Sequence, residues 1–246
     1  MVNLSLYHDN VLSDATLSGS EQATLSSPTF LADDQLSYKM TATGTHSLIK
    51  IDQTGSAIDP FRYMILVDHT MAGGEAVVRT FPTVDRVTPT VVLSGTLTGE
   101  DPNVTDFGSV PTNTQFIDVE LTTSGGVQLS VGELMLASLF DSPQFPAPGI
   151  NTRYIPRRTP IDLANGERLS IKHAETIREK SYSIPSLTFA EAAEWVDLFT
   201  ENEGSELIVL IDDEGNTYPA LMNQILEANT IARRVTIGLL FSEIKL

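Results

Sequence analysis

Not one cysteine occurs among the 246 residues of the chain, which removes disulfides, thiolate metal sites and cysteine nucleophiles together. Stability must then come from packing, hydrogen bonding and assembly. Basic residues are scarce too: 15 Lys and Arg stand against 32 Asp and Glu, a formal charge of −17. A field of that sign repels phosphate and anionic lipid across roughly a Debye length of ~8 Å, so sequence-specific nucleic-acid binding is not expected. No segment approaches the ~18 consecutive apolar residues of a membrane span, and the first ten residues lack the basic and apolar regions of a signal peptide. Synthesis and folding in the cytoplasm, without membrane insertion, are expected.

Sequence-local signs of catalysis are missing as well. His8, His46, His69 and His173 are scattered singly, without the spacing that sets two imidazoles on one face. There is no nucleophile elbow, phosphate-binding loop or dinucleotide turn. Glu191 with Glu194, or Asp118 with Glu120, resembles the carboxylate pair of a glycosidase. Each has a plainer reading, as a helix cap, a solvated helix face and the outward positions of a strand. Asp212–Asn216 clusters acids around a glycine but lacks the order of a calcium loop and reads as an acidic turn. No enzyme activity, metal or cofactor is expected.

What the chain does contain is Thr, Ser, Val, Leu and Ile in short runs broken by Gly and Pro, with 41% hydrophobic residues. That composition favours strands around a buried core. Up to about residue 149 no helical period appears. Strands are expected at Leu36–Thr43, Ser47–Asp52, Tyr63–Asp68, Ala76–Phe81, Thr90–Gly95, Phe116–Thr123 and Val127–Ala137. The last two flank Ser124, Gly125 and Gly126, the composition of a tight hairpin. The expected fold of residues 1–145 is a jelly-roll-like β-sandwich. Such sandwiches often bind sugars on aromatic platforms, for which Phe61, Tyr63, Phe81 and Phe107 are the candidates here.

Five prolines between Asp141 and Pro160 deny too many backbone donors for a regular element, so residues 141–160 read as a strap or linker. Charge shifts there, from −12 over residues 1–150 (5 basic, 17 acidic) to −5 over the rest (10 basic, 15 acidic). Beyond it lies the one clear helix, 189–202. Thr188 and Glu191 form a capping box, Phe189, Ala192, Ala193, Val196 and Phe199 make an apolar stripe, and Gly204 ends it. Two strands precede the helix and three follow it. Residues 146–246 are therefore expected to form a β-sandwich or barrel with one flanking α-helix, and the whole chain to be mainly β. Arg157, Arg158, Arg233 and Arg234 are the densest basic spots and the candidate contacts between subunits.

From "QFIDVELTTSGGVQLSVGELMLA" through the proline-rich strap to "GERLSIKHAETIREKSYSIPSLTFAEAAEWVDLFTENEGSELIVLIDDEG", the chain resembles tail-tip and distal tail proteins of siphophages. The resemblance implies a tail-tube-like module at Asn151–Leu246 that assembles as a hexameric ring continuing the tail tube. It implies an appended carbohydrate-module-like sandwich over residues 1–145. Partners would be copies of itself, the tail tube protein and tail-hub or baseplate proteins, with DNA crossing an acidic lumen in the virion tail. An alternative is a minor tail or receptor-binding protein whose sandwich holds a host-surface glycan. The family's usual order puts the tube-like domain first, whereas here it comes second, so ring and neighbouring minor tail protein both stay open.

Overall fold

The computed structural model describes residues 3–8, 10, 12, 15–19, 27, 29, 31, 39–53, 60–110, 115–156, 158–162, 168–172, 176–201, 207–231 and 234–244, of which 109–110, 158–162, 168–172, 201 and 226–231 by backbone alone. The chain is mainly β. The strands are β1 (Ser5–His8), β2 (Thr16–Gly19), β3 (Met40–Thr41), β4 (His46–Asp52), β5 (Phe61–His69) and β6 (Glu75–Phe81). They continue with β7 (Val91–Thr96), β8 (Asn103–Val110), β9 (Phe116–Thr122), β10 (Ser130–Asp141), β11 (Asn151–Ile155) and β12 (Arg158–Asp162). Then come β13 (Arg168–Lys172), β14 (Ile177–Leu187), α1 (Phe189–Glu201), β15 (Ile208–Ile211), β16 (Thr217–Ile231) and β17 (Arg234–Glu243). No helix among the described residues is long and apolar enough to cross a membrane.

Two compact units divide the chain, Tyr7–Phe140 and a second made of Met1–Leu6 with Asp141–Leu246. The first is thus inserted into the second. Its entry and exit lie side by side in the second unit, where Ser142 N–H donates to the Leu4 carbonyl at 2.8 Å and Ser5 Oγ donates to Asp141 Oδ1 at 2.5 Å.

Unit 7–140 is a sandwich. One sheet runs β2, β4, β9, β6, β7, and in the other β10 pairs with β3 and β5 while β5 pairs with β8. Alternation explains both. Ile49 and Ile51, Ala76 and Val78, and Ile117, Val119 and Leu121 point inward from the first sheet. Met64 and Leu66, with Val131, Leu134 and Leu136, answer from the second. The expected hairpin across Ser124–Gly126 does not form. Gly125 and Gly126 take positive φ of 66° and 76°, yet β9 pairs with β4 and β6 while β10 pairs with β3 and β5. The turn carries the chain from one sheet to the other. Both arms bury an apolar row, and two such rows are best covered by facing each other across a core.

In unit 141–246 the strands β11, β14, β17, β16 and β15 lie side by side, with β1 next to β15, and β12–β13 form a separate two-stranded sheet. Strands therefore occupy part of the interval read as a strap. The prolines leave residues 149–155 free, which is where β11 forms, and Pro160 sits in a two-stranded ribbon whose open side needs no donor.

Candidate functional site

The helix-bearing sheet is built from its caps inward. Glu191 N–H donates to Thr188 Oγ1 at 3.2 Å and Thr188 N–H donates to Glu191 Oε2 at 2.6 Å, the reciprocal capping box read from the sequence. The bond from the Thr188 backbone, then that with its hydroxyl, holds the Glu191 carboxyl below its ordinary range. The buried stripe is Ala192, Trp195 and Leu198, with Val196 and Phe199 half-buried. Phe189 and Ala193, expected inside, lie outside. The single Trp decides the rotation, because its large ring gains most from full burial against β14, β16 and β17, on which α1 packs. Val235, Ile237, Leu239 and Phe241 supply the inward row of β17, and Tyr182 meets Phe241 edge-on at 6.0 Å between centroids.

Opposite the helix in sequence, the β15–β16 turn is tied down by charge. Lys180 Nζ donates to Asp212 Oδ2 at 2.7 Å, both side chains being buried, and lies 3.6 Å from Asp213 and 3.9 Å from Glu214. Asp212 Oδ1 also accepts the N–H groups of Glu214 and Asn216 at 2.9 Å each. Burial pushes the Asp212 carboxyl up, but the bond to Lys180 and the donors of Asn216 outweigh it, leaving it below its ordinary range. Tyr182 Oη donates to Asp213 Oδ1 at 3.2 Å, and Arg178 donates to Glu243 at 2.6 Å while lying 4.6 Å from the centre of the Tyr218 ring. The ammonium stands where a cation would sit among three acids, so this turn is closed by the chain itself.

The sheet leaves two stretches of strand edge open. β15 lies between β16 and β1 and covers only Thr217–Ala220 of β16, and beyond Ala220 the described residues pair with β16 on its β17 side alone. From Leu221 to Ile231 the one charged residue is Glu227, so this long edge lacks the Lys and Pro that usually block strand addition. At the other side β11 pairs only with β14, and its residues Asn151 to Tyr154 are exposed on both faces. Phe145, Tyr154 and Phe189 are exposed aromatics of this unit, at 58%, 63% and 59%. Chemically, such a surface offers backbone donors, acceptors and rings to a partner.

The sequence-predicted contact residues scatter over it. Arg157 and Arg233 fall outside the described residues. Arg158 stands in β12 opposite Lys172. Arg234 is exposed and donates to the Ser186 carbonyl at 3.1 Å, bracing the bulge where Ser186 takes a φ of 61°. The edge residues Leu221–Ile231 were missed, because an unpaired edge is a property of the sheet and leaves no local pattern.

In unit 7–140 the candidate carboxylates are already engaged. Arg86 donates to Asp118 at 2.6 Å and to Asp52, and its guanidinium lies 5.3 Å from the Phe116 ring. Burial dominates for Asp118 and pushes its carboxyl up. Glu120 is bound by His46 at 2.9 Å and Arg79 at 2.7 Å, and those bonds pull it down. Glu194 is exposed on the helix. His69 accepts from Met71 N–H on Nδ1 and, so fixed as a tautomer, donates from Nε2 to the Glu100 carbonyl. His173 lies outside the described residues. Of the aromatic candidates, Phe61, Tyr63 and Phe81 are buried and Phe107 packs on the core, so none of the four offers an open stacking face. Among the described residues no group of three or more His, Asp or Glu is placed to hold a metal.

No known protein family matches the sequence, and no curated protein matches it either. Structural neighbours include glycan-binding modules and a phage-like tail particle. One is a chitosan-binding module from a chitosanase/glucanase of Paenibacillus sp. IK-5, at 15% identity and TM-score 0.39 over 54% of this chain and 99% of that one. Another is the CBM32 of AlyQ in complex with 4,5-unsaturated mannuronic acid, at 18% and 0.38 over 52% and 95%. A third is a chain of the virion of a native gene transfer agent, at 10% and 0.31 over 43% and 85%.

Proposed function

We propose that this chain is a structural, non-enzymatic protein of a long-tailed phage virion. It forms a ring, sixfold by resemblance, at the distal end of the tail tube, and joins the tube to the tail tip with DNA crossing the lumen. The observation that carries the reading is the sheet of unit 141–246, flanked by one helix: β11 ends it on one side, and Leu221–Ile231 of β16 form a stretch of edge that β15 does not cover. Two different open edges on one sheet make a head-to-tail contact, which generates a ring when the rotation closes. Because unit 7–140 is inserted after Leu6, the ring-forming unit begins the chain and resumes at Asp141. The reversed order seen in the sequence then becomes an insertion.

The test is native mass measurement and negative-stain imaging of the full chain and of tails. Rings are expected, and Asn223→Lys with Gln224→Lys, exposed positions on the open edge, should abolish them while leaving the circular-dichroism spectrum unchanged. Dispersed monomers in solution together with absence of the chain from purified tails would remove the reading.

A further inference from the structure

Tyr154 is an aromatic ring left in water on a strand. It stands near the end of β11 and is 63% exposed, although that strand pairs with β14. Large rings gain most from cover, and Tyr is enriched where protein surfaces meet because its body is apolar and its tip polar. The register fixes the side on which it projects. Thr152 lies opposite Lys180 and Tyr154 opposite Arg178, and cross-strand partners share a face. Lys180, Tyr182 and Ile184 make the buried row of β14, the strand against which α1 packs, whereas Ser183 on the other face is exposed. Tyr154 therefore projects on the helix-bearing side of the sheet, at its rim.

The helix has two unlike flanks. At 3.6 residues per turn, Phe189, Val196 and Phe199 fall on one side of the line through the buried Trp195, and Glu191 and Glu194 on the other. Phe189 is 59% exposed, and Val196 and Phe199 are half-buried, so the apolar flank is only partly covered. Charge separates helix and rim as well. α1 carries four acids and no base, whereas the twenty residues between Asp141 and Asp162, which include β11, contain three arginines and no acid on a chain of −17. Opposite signs draw the two surfaces together within a Debye length of ~8 Å.

We propose that Tyr154 of one copy is the anchor of the subunit junction, its ring packed beside the apolar flank of α1 in the next copy. The inference rests on the ring reading, in which β11 meets the uncovered stretch of β16 in a neighbour. A strand added there lies ~4.8 Å beyond β16. α1 packs on β16, and a helix with its side chains is ~10 Å across, about two strand spacings, so its flank overhangs the added strand. A ring on the helix-bearing side of that strand meets the flank. Arg153, opposite Glu179 on the other face, does not.

Exposure of Tyr154 within one copy separates an anchor from a structural residue. Tyr154→Ala in the full chain should leave the circular-dichroism spectrum and the melting of the monomer unchanged. It should nevertheless weaken subunit association, read by native mass measurement over a dilution series, by about tenfold or more, as for an interface hot spot. Tyr154→Phe keeps the ring and should stay within about threefold. Contact with α1 is read separately, with Tyr154 in place. The chain has no natural cysteine, so a preparation carrying Thr152→Cys, on the same face, is mixed with one of different tag mass carrying Phe189→Cys or Val196→Cys on the apolar flank, or Glu194→Cys on the acidic one. The mixtures are oxidised and analysed by non-reducing electrophoresis and peptide mapping. A disulfide demands Cα atoms within about 7 Å, so the better apolar-flank pair should exceed the Glu194 pair by about tenfold. Undiminished association of Tyr154→Ala, or a cross-link no stronger on the apolar flank than at Glu194, overturns the proposal. Rings without the cross-link would remove the anchor alone, the cross-link without rings would remove the ring and keep the junction, and the absence of both would remove both.

Discussion

The two units put their buried charge to different uses. In unit 7–140 the interior between the sheets is apolar, Arg79–Glu120 and Arg62–Asp106 are partly solvated, and the buried charges are Asp118, paired with Arg86, and Glu133 in β10. In unit 141–246 a lysine and an aspartate are both buried, at 5% and 0% exposure, and they fasten a turn. The same unit keeps its aromatics Phe145, Tyr154 and Phe189 in solvent, while the exposed large apolar residues of unit 7–140 are valines. A sandwich that closes its own core is suited to being carried. A sheet that leaves edges and rings uncovered is suited to assembly, and polar specificity inside it fixes where those edges lie.

The largest expected effect breaks that contrast at Lys180. Lys180→Met leaves the Asp212 carboxylate buried without its counter-charge, which should cost unit 141–246 about 3–5 kcal/mol. Lys180→Met with Asp212→Leu should recover most of it, since two apolar groups need no partner. Scanning calorimetry of the full chain should show the loss in one transition. The matching change in unit 7–140, Arg86→Met, removes the cover of Asp118 at the sheet surface, where some solvent remains, and should cost about 1–3 kcal/mol. Equal losses in the two units would dissolve the distinction between the fully buried Asp212 and the slightly exposed Asp118.

Acid should separate the units as well. The folded Asp212 carboxyl lies below its ordinary 3.8, so the stability it contributes is complete above that value and is lost as pH falls through the folded value. Asp118 runs the other way: burial holds its carboxyl above the same 3.8, so its contribution is present below 3.8 and fades as pH rises through the folded value. Glu120 and Asp106 are held low by His46 and by Arg62, but both pairs are largely solvated and count for less. Below pH 3.8 the transition of unit 141–246 should therefore move down faster than that of unit 7–140. Thermal melts between neutral pH and pH 3 check it, and a parallel decline of both transitions would refute it.

Strand identity was legible in the sequence wherever one face was buried, as at β4, β6 and β9, because period-two alternation is local. Partnership was not. Leu121 and Val131 flank a glycine turn that suits a hairpin equally well, and only the competition for a common core sends them to opposite sheets. Likewise Thr188 and Glu191 announced where α1 begins, whereas its buried face was set by Trp195, since Phe189 and Ala193 satisfy the same spacing from the other side. The candidate site was the least legible part. Arginine pairs stand out in an acidic chain, but the open edge of β16 depends on β15 beginning at Ile208 opposite Ala220, a fact of pairing and not of composition.

The smallest effect probes whether the cap or the tryptophan governs α1. Thr188→Ala removes the hydroxyl that accepts from Glu191 N–H, and also the second bond holding the Glu191 carboxyl low. A lost cap of this kind costs about 1 kcal/mol, well short of what the burial of Trp195 contributes, so α1 should keep its place on β14, β16 and β17. The Trp195 fluorescence maximum should accordingly stay that of a buried indole while the transition of unit 141–246 falls by a few degrees. A red-shifted spectrum at unchanged helix content would mean that the cap sets the rotation of the helix, and that the face presented to a neighbouring copy is fixed from its first turn.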